Sequence, residues 1–481
     1  MRLIALALLL LAASARAQTV AIVDVSTVPL DSARTVANQT IVMVDGTITA
    51  IGLAENVTVP EGAEVIDGRR LYAMPGLADM HAHLAHPETE FYAEDNRASL
   101  ALMLAHGVTT ARVMWGTPGT LAFVDSVRSG AILGPDLTLA SPFVQGRQDT
   151  LDTPWTPGAA FNSPGIFRAR TEADARAIAR HIHAQGYDYI KAYDYVPPAA
   201  YRALLDEAES LGLAVVGHVP FGVPLAEVIT DGRQSSIEHA RAFAPLAEAL
   251  DSPSRDSTQW YHQFFGRYAH ISPDRLAVLA EMMRASRQWI VPTVLTAEWN
   301  SGPQPDMLAR ISAPDMVRFT PAAQRQIWLD YANGFALNYE RWGLDMAPIR
   351  AYALSLVRAM HEGGARLLLG TDATPAMTPQ GVAVHEEMAL WAEAGLPPVD
   401  ILRAASLSAH TYLTESGLAD GPGGLAVGAR ADLVLLRADP LADLANAREI
   451  EAVITRGRVL DRSQLDAMLA EVVALYAGDA P

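Results

Sequence analysis

Residues 74–83 read Met-Pro-Gly-Leu-Ala-Asp-Met-His-Ala-His, and the segment Gly76–His83 within them is predicted to be a strand. Residues i and i+2 of a strand face the same way, so the imidazoles of His81 and His83 can reach one metal ion. Alone, the pair is weak evidence for a metal site, because a chain with 13 histidines in 481 residues can contain such a pair by chance. Its meaning depends on the chain around it.

Strand candidates alternate with helical stretches after this segment. Seven follow it: Val108–Met114, Asp136–Pro142, Tyr187–Tyr193, Ala214–Val219, Ser235–His239, Trp289–Leu295 and Arg366–Asp372. Such alternation predicts βαβ units and a parallel sheet, and eight units predict an α/β fold built on a (β/α)8 TIM barrel. The active site of such a barrel lies at the carboxyl ends of its strands. The long connections 241–288 and 296–365 either pack as extra helices on the barrel or form a lid or substrate pocket.

Both ends of the chain carry short β-rich segments. Between Thr19 and Leu71 the pair Asp45-Gly46 separates two strand-like runs, which is a strong hairpin signal. Strand-like runs return near the other end, followed by a predicted helix at 463–476. Neither end can bury a core alone, so we expect them to pair into a small composite β-sandwich domain. The predicted organisation is a signal peptide (1–17), the first part of the composite β-domain (18–72), the (β/α)8 barrel (73–417) and the second part of the β-domain with a terminal helix (418–481).

The first seventeen residues have the features of a secretory signal peptide. Arg2 precedes an apolar run at 3–13, and Ala-Arg-Ala at 15–17 provides a small-x-small cleavage site. The run is shorter than the ~20 apolar residues of a membrane span, and an uncleaved anchor is the alternative. We expect cleavage after Ala17 and a periplasmic or secreted mature protein with no membrane span.

The composition excludes several functional classes. The chain has a formal net charge of −18 and no cysteine. Without cysteine there are no disulfides, thiolate zinc sites, iron–sulfur clusters or cysteine nucleophiles. The acidic balance argues against nucleic-acid binding, since phosphates require cationic patches. With 50% hydrophobic residues the chain can bury a large core, and metals and small-molecule substrates stay open.

Four further metal-binding candidates each close a predicted strand: Lys191, His218, His239 and Asp372. Each has an ordinary explanation, since a strand-end histidine is often only hydrogen-bonded and a Gly-Thr-Asp turn can cap a helix. Their joint appearance at strand ends is difficult to obtain by chance. A second His-x-His pair, His181 and His183, falls in a helical stretch where i and i+2 diverge, and we interpret it as surface.

The order His-x-His, Lys, His, His, Asp resembles the amidohydrolase superfamily. Residues 74–83 are similar to its first-strand signature, and 217–220 and 236–239 resemble its imidazolonepropionase-like and prolidase-like branch. Segments similar to its composite β-domain and the junction into that domain are 45–52, 404–424 and 428–436. The resemblance extends over nearly the whole mature chain and is specific for the superfamily, much less so for the substrate.

The resemblance implies a metal-dependent hydrolase with two divalent ions. The implied ligands are His81, His83, Lys191, His218, His239 and Asp372. The family expectation is that Lys191, as N-carboxylysine, bridges the ions, and its presence favours the binuclear subtype that cleaves amides or peptides. The implied reaction is attack of a metal-bridging hydroxide on an amide, peptide or cyclic-amide C–N bond, with Asp372 as the catalytic proton shuttle. Nitrogen and oxygen ligands suit zinc, with manganese, cobalt or iron also compatible.

Two other functions stay open. The same metal scaffold could serve a lactone or ester hydrolase or a deaminase, which lactone turnover or ammonia release would reveal. A barrel retained as a non-enzymatic binding or assembly protein would be expected to have lost a ligand, and all six positions are present here.

Four residues beyond the ligands are candidate substrate contacts: Tyr193, Arg241, Arg112 and His385. Arg241 or Arg112 could hold a substrate carboxylate in bidentate fashion, or form a structural salt bridge. His385 either contacts substrate or begins a helix over the barrel. The Val-Pro that follows His218 departs from the Ala-Tyr of prolidase-like relatives, which puts dipeptidase specificity in doubt. We expect a small-molecule or dipeptide-like substrate and no nucleic-acid partner, and a homo-oligomer stays open because such barrels commonly associate.

Overall fold

The computed structural model describes residues 19–86, 95–146, 165–247, 272–301, 304–342, 347–374 and 377–477. The predicted signal peptide lies outside these residues, as do parts of the two long connections. Within the described segments, no helix combines the length and the apolar character needed to cross a bilayer.

The structure is a mixed α/β fold. Its strands are β1 (Thr19–Thr27), β2 (Val36–Val44), β3 (Thr47–Leu53), β4 (Glu64–Asp67), β5 (Tyr72–Pro75), β6 (Leu77–Ala82), β7 (Val108–Val113), β8 (Asp136–Leu139), β9 (Phe143–Gln145), β10 (Ile166–Arg168), β11 (Tyr189–Ala192), β12 (Ala214–Gly217), β13 (Gln234–Glu238), β14 (Trp289–Val291), β15 (Arg366–Leu367), β16 (Leu433–Leu436), β17 (Ile450–Thr455) and β18 (Arg458–Asp461). Its α-helices are α1 (Asn96–Ala105), α2 (Pro118–Arg128), α3 (Glu172–Gln185), α4 (Pro198–Leu211), α5 (Leu225–Asp231), α6 (Pro273–Ser286), α7 (Val294–Ser301), α8 (Gln304–Ile311), α9 (Pro314–Arg318), α10 (Ala322–Trp342), α11 (Ala347–Glu362), α12 (Val382–Glu393), α13 (Pro398–Ala404), α14 (Leu407–Glu415) and α15 (Arg462–Ala477).

One eight-stranded sheet combines strands from both ends of the chain. Its order is β18-β17-β16-β5-β1-β2-β3, with β4 paired to β1. The predicted hairpin at Asp45-Gly46 is confirmed, because β2 and β3 pair antiparallel across it. Strand β5 pairs with β1 on one side and β16 on the other, and β6 begins two residues after it ends. The shared sheet therefore delivers the chain directly into the strand that carries His81 and His83.

Two parallel sheets hold the strands between the chain ends. Their orders are β6-β7-β8 and β10-β9-β11-β12-β13-β14-β15. Parallel bridges from Ala82 to Ala373 and from Ala140 to Tyr189 connect the two sheets. Helices lie between successive strands, and a continuous apolar core packs the strands against them. All strand ends that carry the candidate ligands therefore point to one side of these sheets.

Most predicted strands are shorter in the structure, and two of them lose the most residues. The segment Trp289–Leu295 leaves the strand after Val291, because Pro292 cannot donate to a ladder and Thr293 turns with a φ of 43° into α7. The segment Arg366–Asp372 pairs as a strand only over Arg366–Leu367. The short strands β9 and β10 were not predicted, since three-residue strands carry too little periodic pattern to recognise.

Candidate metal centre

The end of β6 meets the segment after β15 in a group of three potential ligands. Donor atoms of His81, His83 and Asp372 all lie within 4.8 Å of one another, and the three residues are buried. Oδ1 of Asp372 is 2.9 Å from Nε2 of His83 and 3.5 Å from Nε2 of His81. Two imidazoles and a carboxylate converging in this way form a donor set suited to a divalent ion.

The remaining predicted ligands lie at neighbouring strand ends. The ring of His239 is 4.7 Å from that of His81 and 4.8 Å from that of His218, measured between centroids. Lys191 is 1% exposed on β11, which pairs with the strand that leads to His218. Gly217 lets these strands come close: a Cβ there would lie 2.9 Å from Cδ of Lys191. Positions separated by up to 291 residues in sequence are thus brought around one buried point.

Three of the histidines are oriented through their outer nitrogens. Nδ1 of His81 lies 2.8 Å from Oε2 of Glu238, Nδ1 of His218 lies 2.7 Å from Oδ1 of Asp194, and Nδ1 of His239 lies 2.8 Å from Oγ1 of Thr293. Burial lowers the pKa of all three imidazoles well below the usual value, so they are neutral near pH 7. A neutral histidine that donates Nδ1–H to a carboxylate keeps its lone pair on Nε2, the arrangement of metal-binding histidines. These residues therefore fit a metal centre.

Arg112 lies inside the protein and supports this arrangement from behind. Its guanidinium is 0% exposed and donates to Oε1 of Glu238 at 2.9 Å, to the Met80 carbonyl at 2.7 Å and to two hydroxyls. Glu238 in turn holds His81. The structure thus gives Arg112 the structural ion pair that the sequence left open, rather than contact with a substrate carboxylate. Because a buried ion pair is costly to break, Arg112 and Glu238 hold His81 in one position.

The turn after β14 contacts two candidate ligands. Thr293 holds His239, and Oγ1 of Thr296 donates to Oδ2 of Asp372 at 3.3 Å. Glu387 on α12, 0% exposed, accepts the backbone N–H groups of Val294 and Leu295 at 2.8 and 2.7 Å, and so fixes the amino-terminal end of α7. It also accepts Nε1–H of a neighbouring tryptophan on α12. Glu387 therefore positions the segment that carries both threonines.

Glu387→Gln is expected to weaken metal retention and to lower the thermal midpoint by a few degrees. The NH2 group of the glutamine side chain would face one of the N–H groups at the start of α7, and two donors cannot bond to each other. An unsatisfied buried N–H lowers the free energy of unfolding by about 1–3 kcal/mol. The resulting shift of α7 would displace the hydroxyls that orient His239 and Asp372. The measurements are a thermal melt and metal equivalents retained after dialysis against a weak chelator.

Trp391→Phe is the matched control for this variant. It removes the 2.7 Å bond from Trp391 Nε1 to the same carboxylate but leaves both backbone bonds to α7 in place. We expect it to lower stability while metal retention stays at the wild-type level. Equal metal retention in both variants would contradict the positioning role of Glu387.

Two of the predicted substrate contacts lie beside the ligands. The Tyr193 ring stacks on the His218 ring with centroids 4.2 Å apart, and Nη2 of Arg241 lies 3.0 Å from Nδ1 of His218. The Arg241 side chain is 33% exposed, and its Nη2 lies 3.9 Å from Oδ1 of Asp194. Tyr193 also stacks on Phe143 at 4.2 Å, and Phe143 on Trp115 at 4.4 Å. A cation and a row of aromatic rings thus flank the same histidine.

His385 lies apart from this group. It is buried in the first turns of α12, and its Nε2 is 2.9 Å from the His106 carbonyl. Burial lowers its pKa to about 3, which keeps the ring neutral. Of the two interpretations of His385, the structure therefore agrees with the position at the start of a helix. Its ring does not lie with the candidate ligands.

Sequence reasoning missed the residues that orient the ligands. Glu238 directly precedes His239, and a charged residue inside the predicted strand Ser235–His239 was an available signal. Asp194 follows Lys191 by three residues and offered a weaker one. Thr293 and Glu387 carry no local signal, because their roles depend on contacts between segments distant in sequence.

Comparison with known proteins agrees with this geometry. The model of the amidohydrolase family matches residues 72–460. The chain belongs to the amidohydrolase family. Members of this family are metal-dependent hydrolases that act on carbon–nitrogen bonds, and the His-His-Asp group of this chain is consistent with that requirement.

Individual relatives are more distant. Dihydroorotase from Citrifermentans bemidjiense is 36% identical over 90 residues, which are 19% of this chain and 20% of that protein. The chain thus spans about a fifth of the length of the curated relatives it matches. Among solved structures, a bottromycin amidohydrolase has a TM-score of 0.71 at 24% identity, covering 96% of this chain and 91% of its own. A Xaa-Pro dipeptidase with bound methionine has a TM-score of 0.65 at 18% identity, covering 92% and 100%. At these identities the structural likeness concerns the fold alone.

Proposed function

We propose that the protein is an exported binuclear metal-dependent amidohydrolase that cleaves an amide, peptide or cyclic-amide C–N bond. The observation that carries the proposal is the convergence of His81, His83 and Asp372, surrounded by the other three predicted ligands. The parallel sheets, the bridges between them and the shared terminal sheet support a (β/α)8 barrel with a composite β-domain. The partial match to dihydroorotases supports keeping cyclic amides among the candidate substrates.

In this proposal, His81, His83 and Asp372 would hold one divalent ion, and His218 and His239 would hold a second. Lys191 would supply ligand oxygens only after carboxylation to a carbamate, since an ammonium has no lone pair to donate. Burial lowers the pKa of Lys191 to about 8, which raises the fraction of neutral amine able to react with CO2. Two bound ions would activate a water molecule and polarise the scissile carbonyl. Zinc suits this nitrogen and oxygen donor set, with manganese, cobalt or iron as alternatives.

The chain's own residues would move the proton. Asp372 takes a proton from the attacking water as the new C–O bond forms, then delivers it to the leaving nitrogen as the C–N bond breaks. The hydrogen bond from Thr296 to Oδ2 fixes the carboxylate for both transfers. Arg241, partly exposed beside His218, would bind a carboxylate of the substrate.

The test is metal content together with turnover. The chain is expressed from the full-length gene with bicarbonate and supplied zinc, and the mature protein should begin at Gln18. Plasma mass spectrometry should find near two equivalents, and dipeptides, acyl-amino acids or cyclic amides should be hydrolysed. One equivalent with ammonia release from a ring, or turnover of lactones alone, would replace the proposal with the alternative chemistry on the same scaffold.

The second histidine pair supplies the matched control. His83→Ala removes a proposed ligand and should lower the metal content, whereas His183→Ala alters an exposed residue on α3 and should leave it unchanged. Equal metal content in both variants would remove His83 from the ligand set.

A further inference from the structure

Four rings form a continuous stack that ends at a proposed metal ligand. Trp115 stacks on Phe143 with centroids 4.4 Å apart and planes at 14°, and Phe143 stacks on Tyr193 at 4.2 Å and 12°. Tyr193 stacks on His218 at 4.2 Å and 29°. The stack thus runs from the segment after β7, through the first residue of β9, to the residues that follow β11 and β12, and its last ring is His218.

The backbone holds this stack in place. Nε1 of Trp115 donates to the Gly165 carbonyl at 2.7 Å, and the Tyr193 N–H donates to the Val144 carbonyl at 3.0 Å. Trp115, Phe143 and Tyr193 are nevertheless only partly buried. A preorganised row of partly exposed aromatic side chains beside a buried polar centre is typical of a ligand pocket rather than of a packed core.

The geometry also defines which group such a surface prefers. Both faces of Phe143 are covered by its neighbours in the stack, and so are both faces of Tyr193, so their exposed parts are ring edges. A ring edge is the positive part of the aromatic quadrupole and attracts the negative face of another ring. An aromatic ring laid against these edges gains this contact, whereas a saturated group of similar size gains burial alone.

We propose that Phe143 and Tyr193, extended by Trp115, form a subsite for an aromatic ring of the substrate. The inference rests on the proposed hydrolase function and narrows its substrate class. Arg241 lies 3.0 Å from Nδ1 of the same His218, so the substrate is an amide that carries both an aromatic side chain and a carboxylate, as in a dipeptide or acyl-amino acid that contains phenylalanine or tyrosine.

A binding experiment tests the subsite without requiring turnover. Calorimetric titration of the metal-loaded protein compares 3-phenylpropanoate with 3-cyclohexylpropanoate, which share the carboxylate and the chain length. We expect the phenyl acid to bind about three- to tenfold more tightly, the range of an aromatic pair beyond area burial. Equal affinities, or no binding of either acid at millimolar concentration, would overturn the inference.

Three variants locate the effect. Phe143→Leu and Tyr193→Leu keep apolar volume but remove a ring, and each should bring the phenyl preference close to one. Tyr195→Leu is the matched control, because Tyr195 contacts Phe221 edge-on at 5.2 Å and takes no part in the stack. Metal content is measured for each variant, so that a disturbed His218 is distinguished from a lost subsite. A preference that persists in both ring variants would place the aromatic group elsewhere.

Turnover separates this inference from the proposed function. Gly-Phe and Phe-Gly are compared with Gly-Leu and Leu-Gly, and the phenylalanine member of one pair should have the higher kcat/KM. A phenyl preference in binding with no hydrolysis of any amide would leave the subsite standing and overturn the hydrolase proposal. Hydrolysis with the same kcat/KM for both members of each pair would overturn the subsite.

Discussion

Asp372→Asn is expected to lower kcat by about 10³-fold, within the range of a lost general acid–base group. The asparagine has nearly the same shape, and its single amide oxygen can still accept from one of His83 and Thr296, which lie 2.9 and 3.3 Å from the two carboxylate oxygens, while its NH2 group can only donate. Its amide oxygen is too weakly basic to take the proton of an attacking water. The measurements are kcat on the best amide substrate, metal content and a thermal melt, which should remain cooperative.

Thr296→Val provides the control for Asp372. Valine matches the shape of threonine and removes only the hydrogen bond to Oδ2, so we expect a loss of about three- to tenfold in kcat. Near-normal turnover by Asp372→Asn would eliminate the proton-shuttle role. If a lower metal content explains the whole loss of kcat, Asp372 acts only as a metal ligand.

Lys191→Ala is expected to lose at least one of two metal equivalents, and turnover with it. Lys191 is 1% exposed, and within the described residues no hydrogen bond from its Nζ is seen; burial lowers its pKa although the charges of Glu238 and Asp372 act in the opposite direction. A buried amine is retained at such a cost for a function, here as the proposed bridging carbamate. Plasma mass spectrometry and kcat on the same preparation measure the two effects together.

Lys191→Met separates ligation from packing. Methionine fills most of the space of the lysine stem but cannot form a carbamate, so metal content should fall as in Lys191→Ala while the thermal midpoint falls less. Full metal occupancy with intact activity in either variant would refute the bridging assignment.

Most of the strand framework could be predicted because it depends on local pattern. Strands β6, β7, β11, β12 and β13 lie within the predicted segments or within one residue of them, since apolar runs bounded by turns are visible along the chain. The ligands could be predicted for the same reason: His81 and His83 share the period of a strand, and Lys191, His218 and His239 stand where strands end. Pro292 was a local signal that the predicted strand ends early, but the start of α7 could not be predicted, because Glu387, 94 residues beyond Thr293, accepts the N–H groups of Val294 and Leu295.

The two side chains with open interpretations show the same division. Arg112 and His385 were both weighed as substrate contacts, and a lone Arg or His in a sequence has no partner to reveal its role. Arg112 meets Glu238 across 126 residues, and His385 meets the His106 carbonyl across 279. Both side chains are buried, and most buried polar groups have a hydrogen-bond partner within the protein.

The sequence alone predicts the α/β class, the family resemblance and the six candidate ligands. Strand period, strand ends and residue chemistry are properties of short segments, so they can be recognised without the tertiary structure. Only the tertiary structure decided what surrounds those ligands: Glu238, Asp194 and Thr293 on the outer nitrogens, Glu387 behind the turn, and the aromatic stack that ends at His218. These contacts join segments distant in sequence. Hydrogen bonds and ring stacking act over a few ångströms, and which groups come that close is set by the packing of the whole chain.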